Sequence, residues 1–106
     1  MAEELIGNGA NEVFCSAVTS WEISRNYEMG KLTLPSPPEI WLAQQREVNR
    51  FSLLSIEELD LIHSSRLPQH HRDPADRILI AQASLNGFTL LSPDPMFHHY
   101  AIRLLW

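Results

Sequence analysis

Short β-prone runs that alternate with longer helical patterns constrain the fold of this chain more than any other feature of its sequence. We predict strands at residues 12–15, 51–54, 88–91 and 101–105, with helical patterns between most of them. Alternation of this kind is typical of a mainly parallel sheet with helices on both faces. The sequence therefore predicts an α/β chain with a three-layer α/β/α architecture.

Helix start and stop signals divide the segments between the strands. Thr19 and Glu22 have capping-box spacing in a helix expected to end near Met29, and Pro37 opens a second helix that runs to about Val48. A third helix is predicted from Ser55 towards Arg66. In the last one Asp73 is the expected N-cap and Pro74 the first helical residue, and the apolar run at residues 78–81 indicates that this helix is buried. Residues 1–6, which precede a glycine pair, look like the last turns of a helix.

Composition sets limits on the class of protein. The 106 residues fit one domain, and 44% hydrophobic with 20% charged residues is typical of a globular chain. No apolar run is long enough to span a membrane and no export signal is evident, so we expect a cytoplasmic protein without membrane contact. The net charge of -5 argues against a broad electrostatic grip on nucleic acid. Acids that hold divalent cations would nevertheless present a positive surface to a phosphodiester at one site.

Three acids are expected at one edge of the predicted sheet: Glu22 early in a helix, Asp76 at a helix start and Asp94 just after a strand. Carboxylates so placed repel one another unless Mg²⁺ or Mn²⁺ neutralises them, and such ions can activate water for phosphodiester cleavage. A structural alternative is open. Glu22 could complete a capping box, Asp76 could complement the helix dipole, and Asp94 could belong to a plain turn.

Four short strings and the C-terminus form a recognisable series along the chain. The strings are Ser20-Trp21-Glu22-Ile23, Gly30-Lys31-Leu32, His71-Arg72-Asp73-Pro74-Ala75-Asp76-Arg77 and Leu91-Ser92-Pro93-Asp94, with Leu104-Leu105-Trp106 at the end. In order and spacing they resemble VapC-type PIN-domain ribonucleases. The resemblance covers nearly the whole chain from about Glu12 onward. Its most specific part is the Arg-Asp-Pro-x-Asp-Arg run followed by a strand and an aspartate.

The resemblance implies that Glu22, Asp76 and Asp94 are the catalytic, metal-binding acids of a nuclease site. It implies further that Ser92 assists this site and that Arg72 and Arg77 contact the RNA phosphate, although an arginine beside a helix start is often only solvated. Mg²⁺ or Mn²⁺ is the implied cofactor. RNA, a cognate antitoxin and a second copy of the chain are the implied partners.

One departure from the family is conspicuous. The family begins with a central strand that ends in an aspartate, and nothing before Glu12 resembles it. We therefore expect a single partial domain over residues 1–106 in which the strands at 12–15 and 88–91 lack a shared neighbour. Three hypotheses follow: an endoribonuclease toxin, a catalytically inactive truncated remnant that binds antitoxin or itself, and a generic α/β binding domain whose acids are helix caps.

Overall fold

Helices and strands alternate in a computed structural model that describes residues 4–6, 12–68, 73–91 and 103–104. The strands are β1 (Glu4–Ile6), β2 (Val13–Ser16), β3 (Phe51–Leu54), β4 (Thr89–Leu91) and β5 (Arg103–Leu104). The helices are α1 (Ala17–Glu28), α2 (Pro38–Asn49), α3 (Glu58–Ser65) and α4 (Pro74–Asn86). This arrangement confirms the predicted α/β class with its α/β/α architecture.

The five strands form one sheet in the order β3-β2-β1-β4-β5. β2 pairs with β3 in parallel, and β4 pairs with β5 in parallel. β1 lies at the centre and runs antiparallel to both of its neighbours, with Leu5 opposite Phe14 on one side and Leu90 on the other. The expected gap between the second and fourth strands is therefore filled by residues of this chain.

This central strand requires a correction of the sequence prediction. Residues 4–6 were expected to end a helix, and the structure shows that this prediction is wrong for them. The cause is not local. A segment so short gains little from helical propensity, whereas between two strands its backbone groups satisfy donors and acceptors that would otherwise be unpaired in the middle of the sheet.

Side chains at the helix starts confirm some predicted caps and shift others. Asp73 caps α4, since its Oδ1 accepts a hydrogen bond from the Ala75 backbone N–H at 2.9 Å. Ser16 caps α1 through the Val18 N–H at 3.2 Å, so the Thr19–Glu22 pair lies inside the helix and is not its capping box. The third helix, α3, begins later than the predicted start at Ser55, because Glu57 is its N-cap and forms a capping box with Asp60.

The described part of the core lies between α4 and its neighbours. Its buried cluster consists of Val18, Ala75, Leu79, Ile80 and Ala83, so α4 is buried as its all-round apolar pattern predicts. Trp21 lies outside this core, because 51% of its surface is exposed. The Arg25 guanidinium lies over the Trp21 ring, 5.3 Å from its centroid. Within the described ranges no helix is both long and apolar enough to cross a membrane.

Candidate acidic site

Helices α1 and α4 bring two of the three predicted acids together. Near the start of α1, Ser16 hydrogen-bonds to Gln82, which lies late in α4. Two turns further along α1, Glu22 lies within electrostatic range of Asp73 and Asp76 at the start of α4. The two helices therefore run in opposite directions, and their order along the chain places Glu22 beside the N-terminus of α4.

The electrostatics of Glu22 are unfavourable in the protein alone. Partial burial raises the pKa of the Glu22 carboxyl above its ordinary value, and the negative charges of Asp73 and Asp76 raise it further. Arg25, one turn along the same helix, has the opposite but smaller effect. Glu22 is thus a half-buried acid whose ionised form is disfavoured by its surroundings, as is common for groups that bind a cation or a proton.

Asp73 and Asp76 share the first turn of α4 but differ in their contacts. Asp73 is exposed and caps the helix, as its Asp-Pro context predicts. Asp76 is half-buried and follows it by three residues, so the two carboxylates lie on neighbouring parts of one helical face. The resemblance also places Asp73 at another aspartate position of the family, with N-capping as the favoured role. In the structure Asp73 caps the helix, and its negative charge also acts on Glu22.

Arg77 is turned towards the protein backbone. Its guanidinium donates hydrogen bonds to the carbonyl oxygens of Ser64 at 2.8 Å, Leu67 at 2.9 Å and Pro68 at 3.0 Å. Those carbonyls lie in the last turn of α3 and just beyond it, where helical partners are missing. Arg77 therefore joins the end of α3 to the start of α4, close to the acids.

Three of the predicted site residues, Arg72, Ser92 and Asp94, lie outside the described residues. The backbone nevertheless fixes where the chain leaves the sheet. Leu91, at the end of β4, is paired with Glu4, and Glu4 is paired in turn with Cys15 near the end of β2. The chain thus leaves β4 for Ser92 at the same edge of the sheet at which α1 begins.

The donor set at this edge is made of carboxylate oxygens, which are the ligands preferred by Mg²⁺ and Mn²⁺. Within residues 12–68 and 73–89, no three His, Cys, Asp or Glu side chains form a group that could hold a metal ion. The residues present fit a hard divalent cation in charge and chemistry. A complete site would need a further oxygen ligand beyond Glu22 and the start of α4.

Comparisons with known proteins give one family. A family model described as PIN domain matches residues 1–103 of the chain. No curated protein and no solved structure shows a significant match.

Proposed function

Because this chain belongs to the PIN domain family, we propose that it is a metal-dependent endoribonuclease, the toxin of a toxin–antitoxin pair. Family membership indicates nuclease activity in general, and PIN domains generally depend on divalent metal ions. The proposal adds RNA as the substrate, cleaved at phosphodiester bonds by metal-activated water. It adds an antitoxin as the inhibitor.

The observation that carries the proposal is the environment of Glu22. Its carboxyl is partly withdrawn from water and lies within electrostatic range of two further acids, whose combined effect on its pKa exceeds that of the nearby Arg25. Such an arrangement costs stability in the metal-free protein. A divalent cation would offset that cost, because it would attract all of the carboxylates that now repel one another.

We assign the proposed roles residue by residue. Glu22, Asp76 and Asp94 would hold Mg²⁺ or Mn²⁺, which when bound supplies activation of water and stabilisation of the leaving oxygen. Glu22 and Asp76 are supported by their proximity across α1 and α4. Asp94 is supported by the exit of β4 at the same sheet edge, and Ser92, which precedes it closely, is proposed to assist.

The two arginines differ in what supports them. We propose that Arg72 contacts the RNA phosphate, because it immediately precedes the capping residue Asp73. Arg77 makes three backbone hydrogen bonds, so its proposed phosphate contact would depend on a guanidinium that already holds α3 against α4. We therefore expect Arg72 to carry the larger share of substrate binding.

The partners belong to the same proposal. PIN nucleases bind RNA and often antitoxins, and we propose a cognate antitoxin, a homodimer and a cytoplasmic location for this chain. Exposed apolar side chains support contact with another protein. Trp21, Ile40 and Leu59 are at least half exposed on three different helices.

A second candidate function is favoured by a specific observation. Because none of residues 1–11 is an aspartate like the one that ends the family's first strand, the second candidate is a catalytically inactive PIN remnant that binds antitoxin or associates with itself. This candidate predicts antitoxin binding without RNA cleavage at any metal concentration.

The test is RNA cleavage by the purified chain with Mn²⁺ or Mg²⁺, with and without a chelator. We expect cleavage that the chelator abolishes and that Asp76→Asn reduces by at least about a hundredfold, since a lost metal ligand removes charge stabilisation in the transition state. Glu28→Gln is the matched control, because it removes one acid from the exposed end of α1. Cleavage that survives chelation would overturn the proposal, and binding of antitoxin without any cleavage would favour the remnant.

A further inference from the structure

A buried hydrogen-bond network connects three segments of the chain through the side chain of Gln82. Gln82 is fully buried, and its Oε1 accepts a hydrogen bond from the Ser16 hydroxyl at the start of α1. Its Nε2 donates to the Ser55 carbonyl oxygen at 3.0 Å and to the Asp60 carboxylate at 3.4 Å. The Asp60 carboxylate also accepts from the Glu57 backbone N–H at 2.8 Å. The Gln82 amide therefore connects α4 to three other segments: the start of α1, the loop that follows β3, and helix α3.

The spacing of this network from the acids is the same on both helices. Glu22 follows Ser16 by six residues on α1, and Gln82 follows Asp76 by six residues on α4. At a rise of about 1.5 Å per residue, each acid lies roughly 9 Å along its helix from the hydrogen bond. Because the helices run in opposite directions, a hydrogen bond at one end fixes which residues face each other at the other end.

We propose that Gln82 is a positioning residue, whose hydrogen bond to Ser16 sets the register between α1 and α4 and so holds Glu22 beside Asp76. This inference rests on the proposed metal-dependent function, since the acid pair is where the cation would bind. Gln82 acts through the helices and touches neither the ion nor the substrate.

The polar character of the Gln82 network supports a role in setting the register between α1 and α4. The core cluster beside it consists of aliphatic side chains and alanines, and the hydrophobic effect that buries them is not directional. A buried amide with both ends bonded has one favourable arrangement, since any shift leaves polar groups unpaired in a dry environment. Ser16, Gln82 and Asp60 are all at least 95% buried, so water does not readily replace these partners.

The experiment compares Mn²⁺ affinity with stability in the full chain. Gln82→Met keeps the length of the side chain and removes its hydrogen bonds. We expect it to raise the Mn²⁺ dissociation constant measured by calorimetry by about tenfold or more, the range seen for residues that orient metal ligands. Ile80→Val is the matched control: it shortens a fully buried apolar side chain of the same helix, and should lower the melting temperature without changing the Mn²⁺ affinity.

Ser16→Ala removes the same hydrogen bond from the other helix and serves if Gln82→Met does not fold. The double variant should bind Mn²⁺ no less tightly than whichever single variant has the lower affinity, because both changes remove the same hydrogen bond. Unchanged Mn²⁺ affinity in the folded variants, with only the melting temperature lowered, would overturn the positioning role. Failure of the proposed function is distinct, because the unaltered chain would then bind no Mn²⁺ in the same calorimeter.

Discussion

The Arg77 guanidinium donates a hydrogen bond to the Ser64 carbonyl oxygen at 2.8 Å, which joins the last turn of α3 to the first turn of α4. Two further carbonyls, those of Leu67 and Pro68, accept from the same group. The run that resembles a nuclease motif thus also has an architectural function in this chain.

Replacing Arg77 by alanine should therefore destabilise the protein. Hydrogen bonds from a charged donor contribute about 1.5–3 kcal/mol, and these are partly exposed, so we expect a loss of about 2 kcal/mol in the free energy of unfolding. Urea denaturation of the metal-free protein measures it. Arg66→Ala, at an exposed arginine that ends α3, should change the free energy little. If Arg77→Ala kept full stability and raised only the KM for RNA, substrate contact would be its main role.

The helix that carries Asp76 could be predicted from sequence because its signals are local. Asp73 and Pro74 mark its start, Gly87 adopts a positive φ of 66° at its end, and its apolar residues agree with its burial. Glu22 could be placed near it because strand and helix order determines which ends share an edge of the sheet.

The features that sequence reasoning missed depend on contacts between distant segments. Residues 4–6 form a strand only because β2 and β4 leave a place between them, and their own composition does not specify this. Trp21 has core-like neighbours in sequence, yet it packs under Arg25 at the surface. The network of Gln82 joins residues up to 66 positions apart, which no helical or strand periodicity reveals.

Asp73 offers a way to separate helix capping from metal binding. Asp73→Ala removes the hydrogen bond to the Ala75 N–H and should cost about 1 kcal/mol of stability. Asp73→Asn retains a capping oxygen and removes the charge, so it should keep most of the stability. Thermal unfolding with and without Mn²⁺ distinguishes the two roles. If Asp73→Asn abolished the stabilisation by Mn²⁺, Asp73 would be a ligand and its capping role secondary.

The raised pKa of Glu22 predicts how stability changes with pH. Because the folded-state pKa lies above the ordinary value of 4.5, the proton is bound more tightly in the folded protein. The stabilisation that this proton gives is complete below pH 4.5 and is lost as the pH rises through the folded-state pKa. Ionised Glu22 is therefore destabilising at neutral pH in the absence of metal.

Glu22→Gln should accordingly raise the melting temperature at pH 7 in chelator, and the gain should shrink towards zero below pH 4.5. Mn²⁺ should raise the melting temperature of the unaltered chain and leave that of Glu22→Gln nearly unchanged. Glu28→Gln, at an exposed acid of the same helix, is the control and should show neither effect. A variant of Glu22 that is less stable at pH 7 would mean that its carboxylate makes net favourable contacts.

The central position of β1 leads to a prediction about the backbone alone. Every N–H of a strand with neighbours on both sides points to one of them, so proline at Leu5 removes a bond in the middle of the sheet. We expect Leu5→Pro to lower the free energy of unfolding by on the order of 3 kcal/mol, a large fraction of the stability of so small a domain. Leu5→Val retains the N–H and favours extended backbone, so it should fold normally. Circular dichroism with urea denaturation measures both variants, and equal stability of the proline and valine variants would show that residues 4–6 do not hold the centre of the sheet.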